Sequence, residues 1–298
     1  MKRGILFFMG LFFLSNCGKQ AGNYDASGTF EATEVIVSSQ VAGQVMTLDV
    51  EEGQSVRAYE PVGLVDTVQL YLKRKQLLAG MKAVDSRSYN ISLQIASLKQ
   101  QIEKQQTELA RFNKLLNSNA ATQKQVDDIQ SSIDVLQRQL AAQTESLRNS
   151  NRSVAAESLS MQAQVEQIND MLNKSIISSP LDGVVLSKYV ERGEVVGQGK
   201  ALFKVADIDR IFLRAYITAD LLSQIKLNQQ ITVFADFGKN EMRPYTGTVT
   251  WISDKAEFTP RTILTKDERA NLVYAVKVAV ENDGYLKIGM YGQLIIDK

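Results

Sequence analysis

This chain of 298 residues contains no histidine and one cysteine, so the commonest general base and the commonest metal ligand are both missing. No catalytic, cofactor-binding or metal-binding set is expected, and neither is an enzyme. The one distinctive nucleophile is the thiol of Cys17. It follows Lys2, Arg3, an apolar run from Ile5 to Leu14 broken only by Gly10, then Ser15 and Asn16. That run is far shorter than the ~20 residues a bilayer-spanning helix needs, so residues 1–16 read as a secretory signal. Cys17 sits where such a signal would be cut, although the same residues also read as a plain signal peptide cut a few residues further on. Loss of residues 1–16 removes two positive charges and takes the net charge from +1 to −1. Nothing in that balance suggests nucleic acid, and a lone cysteine excludes an intrachain disulfide.

The elements that would position any functional surface begin with a repeat. VIVSSQVAGQVMTLDVEEGQSV at 35–56 returns 140 positions later as SIISSPLDGVVLSKYVERGEVV at 175–196. The matched pairs include Ser38 with Ser178, Ser39 with Ser179, Gly43 with Gly183, Val45 with Val185, Val50 with Val190, and Gly53 with Gly193. Each copy alternates apolar residues between glycines, which predicts short strands and turns, with Gly43, Gly53, Gly183 and Gly193 at the turns. One copy alone is too small to bury a core.

Between the copies, residues 68–173 hold no proline and one glycine, Gly80, in a mix that favours helix. Steps of seven from Leu70 pass through Leu77, Val84, Ile91, Leu98, Gln105 and Phe112, with Arg74, Met81, Ser88, Ile95, Ile102, Leu109 and Leu116 in a companion column. A second register runs Val126, Ile133, Leu140, Leu147, Val154, Met161 and Ile168, with Ile129, Leu136 and Met171 beside it and polar residues at Gln143, Ser150, Glu157 and Gln164. Asn117 to Thr122 is turn chemistry, and Thr122 with Gln125 makes a capping box. The segment therefore reads as an antiparallel hairpin of two long helices, which returns the chain to its start and lets the two half-motifs close one β-sandwich.

The pair of half-motifs resembles a lipoyl or biotinyl carrier domain cut open. Where a carrier has its cofactor lysine, this chain reads Val65, Asp66, Thr67 and enters the hairpin. A split lipoyl-like domain around a helical hairpin is similar to the periplasmic adaptors, or membrane fusion proteins, of the HlyD type, and the Cys17 segment is similar to a bacterial lipoprotein signal. At the hairpin tip Arg111, Leu115 and Thr122 resemble the family's Arg-x3-Leu-x6-Ser pattern, with Thr in place of Ser. In the family these residues meet a TolC-like outer-membrane channel. The stretch from Ala256 to Val278 and the ending LKIGMYGQLII look like the barrel domain of adaptors that serve ABC exporters.

The resemblance implies an elongated α+β chain. Its expected parts are a signal peptide at 1–16, a lipid-anchored linker and first strand at 17–34, a split lipoyl-like domain at 35–66 and 174–205, a helical hairpin at 67–173 with its tip near 116–122, and a β-barrel domain at 206–298. A short helix at Asp220 to Lys226 is expected over the barrel mouth, with Lys239, Arg243 and Arg261 as solvated loop charges. The implied function links an inner-membrane exporter, of ABC type, to an outer-membrane channel. Several copies would form a trimeric or hexameric ring in the periplasm, held to the inner membrane of a Gram-negative cell by Cys17. The alternatives are an adaptor of a proton-driven exporter, a lipoyl or biotin carrier subunit, and a free coiled-coil scaffold.

Overall fold

A computed structural model describes residues 24–238, 241–258 and 272–296. Cys17, the signal segment, Lys239 and Arg261 lie outside the described residues. In chain order the first strands are β1 (Ala26–Ser38), β2 (Gly43–Leu48), β3 (Ser55–Val56) and β4 (Pro61–Val65). Helices α1 (Val68–Asp85), α2 (Ile91–Gln94), α3 (Ala96–Asn117) and α4 (Gln123–Lys174) follow. The chain then forms β5 (Ile176–Ser178), β6 (Gly183–Lys188), β7 (Val195–Val196), β8 (Ala201–Thr218), β9 (Gln230–Gly238), β10 (Glu241–Ile252), β11 (Glu257–Phe258), β12 (Leu272–Glu281) and β13 (Tyr291–Ile295). These elements divide between two compact units. The described residues of one are 24–35, 181–184 and 205–296; the other holds 36–180 and 185–204.

The first unit is a six-stranded closed barrel. Its strands run β12, β10, β9, β13, β1, β8, and β8 pairs back onto β12 from Thr218↔Val273 to Arg210↔Glu281. Alternation along β8 puts Ile211, Leu213, Ala215 and Ile217 fully inside, where they meet Phe30, Val233, Val278 and Leu294. The barrel is therefore not confined to residues after 205. Ala26 to Thr29 of β1 pair with Leu294 to Tyr291 of β13, and without this strand the sheet would have two open edges. Asp220 to Lys226 contributes a single 3-10 turn at Leu222–Gln224, and the next residue, Ile225, is buried in the barrel core. Arg243 is not a solvated loop charge. It lies on β10, paired with Asp283 at 2.7 Å and stacked over Phe237 and Tyr245.

The second unit explains the repeat. The Gly53 N–H donates to the Val185 carbonyl at 2.8 Å, and 140 positions away the Gly193 N–H donates to the Val45 carbonyl at 2.8 Å. The Val185 N–H donates to the Gln54 carbonyl at 2.9 Å, and the Val45 N–H to the Glu194 carbonyl at 2.8 Å. Tyr59 N–H to Ser179 carbonyl and Gly199 N–H to Ser39 carbonyl complete the pattern, both at 2.8 Å. Each copy's turns satisfy backbone groups of the other copy, as a local two-fold axis requires. Mates Val45 and Val185, Val50 and Val190, and Val56 and Val196 are all buried, so neither copy has a core without its partner.

Gly53 (φ +85°) and Gly193 (φ +96°) occupy the left-handed region that side chains disfavour. Gly43 and Gly183 instead begin strands β2 and β6. They are small because of close approach: a Cβ on Gly43 would lie 2.7 Å from a Val65 methyl, and one on Gly183 would collide with the Ala206 carbonyl.

Candidate functional site

The candidate site is the tip of the helical hairpin, and the hairpin is built from a narrow seam. Helix α4 spans 52 residues, about 78 Å at 1.5 Å per residue. The other arm runs antiparallel to it: Arg74 donates to Asn169 at 3.2 Å, and Arg87 pairs with Glu157 at 2.6 Å. Val84, Ile95 and Ile102 are buried on one arm, Val126, Ile133, Leu147 and Val165 on the other. The second column of α4 departs from the sequence reading. Beyond Leu140 its half-buried and buried positions are Thr144, Asn151, Ser158, Val165 and Leu172, whereas Met171 is 44% exposed. A 3.6-residue period drifts from a seven-residue repeat, and over several heptads that drift moves the column by one position.

The first arm is also not one helix. It stops at Asp85 and resumes at Asn90, whose side chain accepts the Leu93 N–H. Asn151 of α4 bridges the gap with both ends of its amide, accepting the Tyr89 N–H at 2.8 Å and donating to the Tyr89 carbonyl at 2.9 Å. That one side chain replaces helical hydrogen bonds missing at the break. Ile91 and Ile95 then resume the seven-residue phase of Val84, so the seam continues towards the tip.

The tip itself is tightly closed. After α3 ends, the Ser118 and Ala120 N–H groups both donate to the Leu115 carbonyl, at 3.1 and 2.8 Å, and the Ser118 hydroxyl donates to the same oxygen at 2.9 Å. Asn119 takes the left-handed conformation, φ +57°, that asparagine tolerates at helix ends. The Gln125 amide oxygen then accepts the Thr122 N–H at 2.9 Å and its hydroxyl at 3.1 Å, starting α4. Carbonyls that a helix end leaves open are thus satisfied locally.

Arg111, Leu115 and Thr122 lie in this region and all are exposed. Arg111 and Leu115 are four residues apart, on one face of α3. Arg111 pairs with Glu108 at 3.0 Å, lies over the Phe112 ring and leaves 64% of its side chain exposed. One carboxylate does not exhaust the donors of a guanidinium fork. The sequence reading missed Glu108, although its three-residue spacing from Arg111 is a helical ion-pair signal. A capped turn that presents a cation, an apolar side chain and a hydroxyl is suited to contact, not to bond-making. Among the described residues no cluster of three or more His, Cys, Asp or Glu could hold a metal, and no helix is long and apolar enough to cross a membrane.

Residues 33–207 match the CzcB-like, barrel-sandwich hybrid domain. The chain belongs to that family of membrane fusion proteins. A membrane protein of Citrobacter koseri named UPF0194 is 28% identical over 284 residues, covering 88% of this chain and 85% of its own length. Among solved structures, a MacA–MexA chimera carrying the α-hairpin domain of Pseudomonas aeruginosa MexA overlays with a TM-score of 0.57 at 20% identity, covering 92% of this chain and 81% of the chimera. The membrane fusion protein Spr0693 of Streptococcus pneumoniae gives 0.51 at 16% identity, with 91% and 98% covered. The CzcB-like match spans both copies of the repeat and the hairpin between them, so the split sandwich is a family trait. As a membrane fusion protein the chain is an adaptor of efflux systems. At the point where a carrier domain would bear its lysine, the Asp66 carboxylate accepts the Val68 N–H at 2.9 Å and α1 begins.

Proposed function

We propose that this chain is a periplasmic adaptor that joins an inner-membrane ABC exporter to a TolC-like outer-membrane channel. The observation that carries the reading is the tip, where Arg111, Leu115 and Thr122 stand exposed around a capped turn at the end of the long hairpin. The ABC assignment rests on the likeness of the barrel sequence to adaptors of such exporters. In this reading the work is mechanical and the chain is not an enzyme. It is held to the inner membrane through lipid on Cys17, and several copies form a ring around the export path.

Arg111→Ala tests it. The variant is expected to abolish export at unchanged abundance, because an exposed helical arginine contributes little stability and alanine is the better helix former. Arg111→Lys is expected to rescue poorly, since an ammonium lacks the planar fork. Photocrosslinkers at Leu115 and Asn119 should trap an outer-membrane channel, and one at Leu77 only the hairpin's own second arm or a neighbouring copy. Normal export by Arg111→Ala, together with no channel captured from the tip, would overturn the reading.

A further inference from the structure

Each of the three tip residues is held by a neighbour three positions away. The Leu115 carbonyl accepts the Ser118 N–H and hydroxyl, the Thr122 N–H and hydroxyl donate to Gln125, and Arg111 pairs with Glu108. The first two contacts have a structural purpose, since one closes α3 and the other opens α4. The third has none of that kind. Glu108 and Arg111 lie inside α3, which ends at Asn117, and an exposed ion pair at this spacing adds little to a helix.

The pairing is nevertheless selective. Lys104 stands one turn before Glu108, about as near along the helix as Arg111, yet the carboxylate meets Arg111 at 3.0 Å and Lys104 has no ion pair among the described residues. An acid placed before its cation is the order that a helix favours. The acid is also the more sheltered partner, 35% exposed against 64% for the arginine. Phe112 is half-buried beside it, and the Arg111 guanidinium lies over its ring at 5.5 Å from the centroid. A long side chain is thereby held at two points. Its Nη2 contacts the carboxylate, and no polar partner among the described residues takes the remaining donors of the fork. Ordering an arginine at the moment of contact lowers affinity, and a fork ordered beforehand avoids that loss.

We propose that Glu108 is a positioning residue of the tip: its carboxylate and the Phe112 ring set the Arg111 fork before a channel arrives, and Glu108 acts through Arg111 without touching the channel itself. The inference deepens the proposed function and rests on that reading.

Relocation of the carboxylate tests it in the full-length chain, with channel capture from a photocrosslinker at Asn119 as the measurement and helical content followed by circular dichroism. Glu108→Gln keeps the shape and helix preference of the side chain and removes its charge. It is expected to retain its helix and to lower capture by about three- to tenfold, the effect of releasing one long side chain. Thr107→Glu combined with Glu108→Gln puts a carboxylate four residues before Arg111, the other spacing at which helical side chains meet, and is expected to recover most of the loss. Capture at the parent's level by Glu108→Gln overturns the proposal. Failure of the relocated carboxylate to restore capture also overturns it, since the acid would then act at its own position and not through Arg111. Either result, with capture still lost in Arg111→Ala, leaves the adaptor reading standing. Undiminished capture by Arg111→Ala removes that reading and this proposal with it.

Discussion

The two copies of the half-motif and the two arms of the hairpin are both pairs made by one reversal of the chain, yet they are held in different ways. The copies exchange backbone hydrogen bonds in both directions and share buried valines, so each is part of the other's structure. The arms share a side-chain seam, and each makes its own backbone bonds. A pair of the first kind leaves little of its sequence free. A pair of the second kind fixes about two residues per heptad and leaves the others free to carry charge patterns and a contact tip. The division suits a protein with a fixed base and a variable arm.

The comparison breaks most readily at the sandwich turns. Gly53→Val and Gly193→Val are each expected to lower stability by about 1–3 kcal/mol, because no atom lies within 4 Å of either new Cβ and the left-handed backbone alone resists the side chain. Urea denaturation should give similar losses for the two. A large loss in one and none in the other would show that the copies are not interdependent.

The repeat was legible because both copies must meet the same backbone demands, and a residue such as Gly53 or Gly193 answers the same requirement twice. Gly43 and Gly183 were legible as glycines but not as strand starts, since sequence does not separate a need for left-handed backbone from a need for space. The hairpin was legible through its heptads. The break after Asp85 was not, because Ser86 to Asn90 carry no proline or glycine, and what makes the break tolerable is Asn151, 62 residues from Tyr89. Arg243 was misread for a similar reason: Asp283 reaches it from the loop after β12 and Phe237 from the neighbouring strand β9, although Tyr245 is only two residues along β10 itself. At the tip, the residues themselves were legible, and the Glu108 partner of Arg111 was overlooked.

A smaller effect separates the tip from the base. Thr122→Ala should cost about 1 kcal/mol through loss of the cap, and Thr122→Ser should be silent because the hydroxyl and its Gln125 partner are kept. The seam below should not respond. Hydrogen exchange that quickens around 118–126 while amides near Ile102 and Leu147 stay protected would sharpen the contrast; loosening along the whole hairpin would break it.

The sandwich has a further signature in Lys188, whose ammonium joins the repeat mates Glu191 at 2.9 Å and Glu51 at 3.3 Å. The hydrogen bond to Glu191 chiefly, then that to Glu51, holds its pKa above the ordinary lysine value against the opposing effect of desolvation. A raised pKa means a contribution fully present below the unfolded value, about 10.4, and lost as pH rises through the folded one. Lys188→Met should therefore show a weaker fall in stability above about pH 10 than the parent, with little difference between the two profiles' shapes near neutrality. Parallel profiles up to pH 11 would remove this bridge from the account of how the copies are joined.

The smallest expected effect tests the repeat where its copies disagree. Tyr59 and Gly199 are mates, make the same hydrogen bond to Ser179 and Ser39, and share the left-handed backbone, φ +63° and +84°. Glycine meets that demand without strain, whereas an L side chain there costs about 1 kcal/mol. Tyr59 is also 80% exposed, so its ring gains little burial in return. Tyr59→Gly removes the strain but adds backbone freedom to the unfolded chain, worth up to about 1 kcal/mol in the opposite direction. The two terms nearly cancel, and stability should stay within about 0.5 kcal/mol of the parent. A loss well beyond that would mean that the tyrosine ring packs within the chain and that the two turns are not equivalent. A gain would mean that the first copy carries backbone strain that its repeat mate avoids, with the exposed ring contributing nothing to the fold.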